Sequence, residues 1–207
     1  HHLSERMDEY YIEDRFQLEK DSIDYLSSNA IVEMGSSADF LSLYDYIHTH
    51  SLAENQYFEY VARQLDINNL IDYYAVELFL ANTDWPYNNI KFWKAQNDGK
   101  WRWLFFDCDE CMSYEYYNAL GNFINTSQYH QDFPEWSTFL LHHLFKNENF
   151  NTHFRMRFEE LLNNDFSSFR FFTLVDSLSA LYKPEVAEHA IRWSGPNDLI
   201  DWQESVK

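Results

Sequence analysis

Asp84, Asn89, Asp107 and Asp109 are the residues of this chain whose types and spacing offer chemistry. Asp84 and Asn89 stand five apart in a polar stretch broken by Pro86, and Asp107 follows Asp84 by 23 residues. Asp-x-x-x-x-Asn with a second Asp about twenty residues on is an arrangement suited to phosphoryl transfer. The first carboxylate orients and deprotonates an acceptor hydroxyl, while the amide and the later carboxylate hold magnesium. Hard oxygen ligands suit that cation, and this set supplies only carboxylates and an amide. The plainer reading is that Asn82, Asp84 and Asn88 cap and turn the chain while Asp107 and Asp109 end a strand.

The stretch between these residues decides whether they meet. Asn97-Asp98-Gly99 separates two aromatic, β-branched runs, and Asp-Gly in that setting marks a hairpin turn. Folding there pairs positions whose numbers add to about 195–197, so Asp107 lies opposite Asn88 to Ile90. Strands in a sheet sit about 4.8 Å apart. The polar segment from Asp84 to Asn89 and the acidic one from Asp107 to Asp109 then share the open end of one hairpin.

Helices dominate the rest. Ser4 to Phe16 reads as a helix capped by Ser4, with Met7, Tyr10, Tyr11 and Phe16 on its apolar face. Leu18 to Ser37 is polar, with Ile31 to Met34 as a short strand or extended connection. Phe40, Leu43, Tyr44 and Ile47 mark one amphipathic helix. Tyr57, Phe58, Val61 and Leu65 mark a second, starting near Ala53. Asp66 caps a third, from Ile67 to about Asn82; it is apolar over most of its surface and reads as the central buried helix. Ser113 to Glu135 lacks a steady period and reads as a long loop with one helical turn. Three amphipathic helices follow, at Trp136–Phe145, Phe150–Leu162 and Phe166–Tyr182. Pro184 opens a last one through Trp193, and Ser194-Gly195-Pro196 stops it.

Residues 1–207 suit a single domain, and the composition, 45% hydrophobic and 19% aromatic with only 4 Gly and 4 Pro, favours long helices over a sandwich or barrel. A net charge of −19 argues against nucleic acid as a partner, because that binding rests on Lys and Arg. An acidic protein that handles ATP needs a metal ion to bring the two together. No run of about 18 apolar residues is present, so no membrane span is expected. Cys108 and Cys111, at C-x-x-C spacing, read as two small part-buried residues beside the acids, or as a redox pair, or as half a zinc site without its other two ligands.

Trp101, Trp103 and Phe105 alternate on one strand face and are expected to pack on helices rather than form a binding platform. At least one of His142 and His143 is a satisfied core histidine. Arg155 and Arg157 with Glu159 and Glu160 form a solvated helix face. Arg192, in the His189–Trp193 segment, is a candidate structural anchor for the carboxylates.

Asn-Thr-Asp-Trp-Pro-Tyr-Asn-Asn from Asn82, Lys-Trp-Arg-Trp from Lys100 and Asp-Cys-Asp from Asp107 together resemble the spore-coat-protein-H (CotH) family of atypical protein kinases. Ser4-Glu5-Arg6-Met7-Asp8 with Tyr11, Asp66 through Asp72-Tyr73, and Arg192-Trp193 resemble other parts of that family in the same order. The resemblance implies a mainly α fold with a small β-hairpin, like the carboxy-terminal lobe of a protein kinase. It implies ATP, Mg²⁺ or Mn²⁺, and phosphorylation of Ser or Thr in protein substrates. By position, Asp84 matches the catalytic aspartate. Asn89 and Asp107 match the metal and cofactor-binding residues, and Asp109 is a further candidate metal ligand. It also implies a nucleotide-binding lobe upstream of Ser4 in the same polypeptide, so residues 1–207 alone are expected to bind ATP weakly or not at all. A bacterial cell-surface or spore-coat location follows from the same resemblance.

One departure stands out. Where the family commonly has Phe and Gly soon after Asp-x-Asp, this chain has Glu110-Cys111-Met112. The readings from another class are a non-catalytic scaffold with a kinase-like lobe, and a metal-dependent phospho- or nucleotidyl transferase with another acceptor.

Overall fold

The structure, a computed structural model, describes residues 5–97, 99–114, 116–124, 134–193 and 200–201. The chain divides into two compact units, His1–Arg155 and Met156–Lys207.

In the first unit a four-stranded antiparallel sheet forms from β1 (Ile23–Ser27), β2 (Ile31–Met34), β3 (Lys91–Ala95) and β4 (Arg102–Leu104), in the order β2-β1-β3-β4. The expected hairpin is its β3–β4 half. Lys91 pairs with Leu104, Phe92 with Trp103 and Trp93 with Arg102, a constant sum of 195. Asp98 of the expected turn lies outside the described residues; Gly99 N–H donates to the Ala95 carbonyl across it, at 3.2 Å. The sheet also contains a strand the sequence pattern did not suggest. β1 is central and buried over Ile23 to Leu26, so it lacks the alternation that marks a half-exposed strand. Its one acid, Asp24, is buried but accepts from Ser36 N–H and the Gln96 amide, at 2.9 and 3.2 Å. Gly35, at φ 74°, passes so close that an added Cβ would lie 2.4 Å from the Asp24 carboxylate.

Both faces of β3 are covered. Trp93 packs with Ile12, Ile23, Tyr25 and Leu104, under Met7, Tyr11 and Phe16. These contacts hold α1 (Glu9–Phe16), which starts later than expected: Asp8 caps it, accepting from Tyr10 and Tyr11 N–H. Ser4 lies outside the described residues, and Tyr10, assigned above to the apolar face, is 55% exposed. On the other face Phe92 stacks on Trp103 at 5.3 Å and meets Phe40 of α2 (Ala38–Thr49) at 4.5 Å. Trp101 and Trp103 are therefore core. Burying one such phenylalanine contributes about 1.5–3 kcal/mol.

α3 (Asn55–Gln64) and α4 (Ile67–Phe79) follow the expected pattern, with Asp66 accepting from Asn69 N–H at the start of α4. Their junction covers the free edge of β4. Trp101 N–H donates to the Gln64 carbonyl and Asp66 N–H to the Trp101 carbonyl, at 2.9 and 3.0 Å. Asn69 then clasps Trp103 in both directions, at 2.7 and 3.1 Å. An edge strand's unpaired groups are satisfied this way, and α4 is fixed against the hairpin.

After the hairpin come α5 (Ala119–Ile124), α6 (Glu135–Leu144) and α7 (Glu148–Asn163). α5 is the turn of helix expected in the long loop; residues 125–133 lie outside the described set. Buried His142 faces the Phe123 carbonyl at 3.0 Å, the satisfied core histidine expected above. Asn147 caps α7, accepting from Asn149 and Phe150 N–H.

The second unit holds the end of α7, α8 (Ser168–Tyr182), a 3₁₀ turn over Lys183–Glu185 that contains Pro184, and α9 (Val186–Trp193). Arg157 pairs with Glu160 at 2.7 Å, as expected for a solvated face. The Arg192 guanidinium lies 5.4 Å from the Trp193 ring. Ser194-Gly195-Pro196 lies outside the described residues. No helix among the described residues is long and apolar enough to cross a membrane.

Candidate active site at the open end of the hairpin

α4 delivers the chain into the first loop. Ala81, at φ 49°, breaks the helix, and Asn82 turns inward. Its Nδ2 donates to Glu77 Oε2 at 2.9 Å, while its Oδ1 accepts Asp84 N–H at 3.1 Å. Asp84 is half-buried, and its Oδ2 accepts from Asn88 Nδ2 at 3.1 Å and Asn89 Nδ2 at 3.4 Å. Asp84 and Asn89 are thus brought together. Asn89 sits at φ 54°, a conformation asparagine tolerates better than most side chains. Trp85, inside the loop, is buried against Phe123 and gives its indole N–H to the Tyr73 hydroxyl at 2.9 Å. The Trp85–Pro86 peptide is cis.

The second loop leaves β4 through Phe105 and Phe106. Asp107, at φ 58°, and Asp109 are exposed, and among the described residues neither takes a hydrogen bond or an ion pair. Cys108 and Cys111 form a disulfide, with Cα atoms 5.0 Å apart. Both are part-buried, as expected, and their bond removes the half zinc site. The two loops are laced by backbone. Thr83 N–H and Oγ1 both donate to the Glu110 carbonyl at 3.3 Å, and Met112 N–H to the Leu80 carbonyl at 2.7 Å. The hairpin ladder itself stops at Lys91–Leu104. Asp107 and Asp109 lie beyond its last pair, and among the described residues neither is bonded to Asp84 or Asn89.

Among the described residues, no group of three or more His, Cys, Asp or Glu is arranged as a ready metal site. The donor chemistry nonetheless fits a hard cation. Asn89 spends its Nδ2 on Asp84, which leaves its carbonyl Oδ1 for a metal, and the two exposed carboxylates of Asp107 and Asp109 are uncommitted. The hairpin lysines are engaged elsewhere. Lys91 Nζ donates to the Met7 carbonyl at 2.7 Å, Lys94 pairs with Asp39, and Lys100 Nζ donates to the Ala62 carbonyl at 3.2 Å.

The sequence model of the CotH kinase protein family matches residues 1–207. The chain belongs to the CotH kinase family. At family level its function is kinase-like. No curated protein and no solved structure matched it.

Sequence reasoning passed over Glu77. It is 1% exposed, the one charged side chain buried on α4. Burial pushes its carboxyl up to about 7, against the hydrogen bond from Asn82 and the nearby Tyr73 hydroxyl, which favour ionisation. The Tyr73 hydroxyl closes no hydrogen bond of normal geometry with it, and Oε1 has no partner among the described residues. A signal was present: a lone Glu three residues after Tyr74 falls on the same buried helix face as Leu70, Tyr74 and Leu78.

Proposed function

We propose that this chain carries the acceptor-activating and metal-holding part of an ATP-dependent protein kinase. Asp84 orients a Ser or Thr hydroxyl of a protein substrate and takes its proton. Asn89, through Oδ1, and Asp107 hold Mg²⁺ or Mn²⁺, and Asp109 is a further ligand. The cation, when bound, neutralises charge on the transferring phosphoryl group. The chain's own work is positional. Asn88 and Asn89 fix Asp84 Oδ2 and leave Oδ1 turned to the acceptor, while water reaches both acidic loops until substrate covers them.

The observation that carries this reading is the Asp84–Asn89 contact in a chain of the CotH kinase family. A family-level association with the spore coat and a disulfide, which persists in oxidising compartments, support a place outside the cytoplasm. The scaffold reading draws support from the disulfide that staples the loop where the family commonly has Phe and Gly.

The test is transfer of label from γ-labelled ATP by the full-length protein with Mg²⁺ or Mn²⁺. Wild type is expected to label protein and Asp107→Ala is not. Equal, background labelling by both sinks the kinase reading and leaves the scaffold. Mass spectrometry of the product distinguishes a phosphate from a nucleotide adduct.

A further inference from the structure

A buried carboxylate is costly to keep unless it is paired or hydrogen-bonded. Glu77 is buried, holds only one hydrogen bond of normal geometry, and lies one helical turn from Tyr73. Those two residues anchor the chain on both sides of Asp84. Glu77 takes the amide of Asn82, whose Oδ1 in turn takes Asp84 N–H. Tyr73 takes the indole of Trp85, the residue after Asp84. Residues at i and i+4 of a helix stand on one face, so a rigid part of α4 grips the loop at two points. Asp84 itself remains half-buried between them, where its carboxylate is accessible.

We propose that Glu77 and Asn82 are positioning residues for Asp84, acting as a buried relay that fixes the backbone from which its carboxylate projects to Asn88 and Asn89. This rests on the reading of Asp84 as the acceptor-activating group. The relay is directional: Glu77 accepts, Asn82 donates with its amide nitrogen and accepts with its oxygen. Asn82→Asp keeps an acceptor for Asp84 N–H but sets a second carboxylate against Glu77. Adding Glu77→Gln restores a donor–acceptor match, because the new amide can donate to the new carboxylate.

The experiment is a double-mutant cycle in the full-length protein, read by label transfer and by the NMR signal and hydrogen exchange of the Asp84 amide. Asn82→Asp is expected to lower kcat by about tenfold or more, with the KM for ATP changed less than about twofold. The Glu77→Gln/Asn82→Asp pair is expected to return kcat to within about threefold of wild type. The Asp84 amide is expected to be exchange-protected in wild type, displaced in the single variant and restored in the pair. A pair no better than the single variant overturns the relay. So does an Asp84 amide that exchanges as a free loop in wild type, a readout independent of whether any variant folds. If wild type transfers no phosphate, the kinase reading fails, while the Asp84 amide still decides the relay.

Discussion

The two loops at the hairpin mouth carry similar acids and are built in opposite ways. The loop from Asn82 to Asn89 is wired into the core. Asn82 is 1% exposed and bonded to Glu77, Trp85 is buried on Phe123, and Asp84 receives two amide side chains. The loop from Asp107 to Met112 offers its neighbour only its own backbone groups, the Glu110 carbonyl and Met112 N–H, and is stapled to itself by Cys108–Cys111, with both aspartates exposed. A group that must point at one acceptor atom benefits from being fixed before substrate arrives. Acids that serve a cation need only be close and uncommitted, because the cation itself supplies the attraction that orders them. The difference in construction therefore follows the difference in proposed roles.

Perturbing each loop tests that contrast, and the largest effect is expected at its chemical ends. Asp84→Ala should lower kcat for phosphate transfer by about 10²–10⁴-fold, the usual contribution of a positioned base. It should leave Mn²⁺ affinity nearly intact. Asp107→Ala should abolish both, as read by label transfer and by metal titration. If the two variants lose metal equally, the division of roles between the loops is wrong.

Next comes the buried wiring. The folded pKa of Glu77, about 7, lies above its unfolded value of 4.5. Between those values the folded state binds more protons than the unfolded one. The stability this gives is full below about 4.5 and is lost as pH rises through about 7. Glu77→Gln removes the term. Urea unfolding at pH 5 and pH 8 should show wild type losing about 2–3 kcal/mol more than the variant over that interval. Equal pH slopes would mean that Glu77 is not desolvated as described.

The stapled loop should respond more weakly. Cys108→Ser with Cys111→Ser releases a four-residue ring, worth about 2 kcal/mol at most by chain entropy. A loss well above that in thermal unfolding would show that the second loop is part of the packed core. Smallest is Asn88→Ala. It removes one exposed hydrogen bond to Asp84, worth about 1 kcal/mol or less, and should lower kcat only a few-fold while Asn89 still holds the same oxygen.

Much of this site was written in local sequence. Asn97-Asp98-Gly99 between two aromatic runs sets a hairpin whose register the structure keeps at Lys91–Leu104, and so the two acidic segments leave the same end. Asp66 announces the start of α4, and the spacing of Leu70, Ile71, Tyr74 and Leu78 announces its burial. Turn chemistry, caps and helical period act between residues a few positions apart, so the sequence alone determined these elements and the gathering of Asp84 with Asn89.

The tertiary structure decided the rest, because it depends on partners remote in the chain. β1 shows no strand pattern, since both of its faces are covered and Asp24 finds its donors in Ser36 and Gln96. Asn69 reads as an ordinary helical polar residue until β4 presents an edge for it to clasp. Glu77 reads as a misplaced charge until the chain beyond α4 folds back and sets Asn82 against it. Satisfying a buried polar atom requires a specific donor at a specific distance. Only the folded chain names that donor, and here it makes Asp84 a fixed group and leaves Asp107 an exposed one.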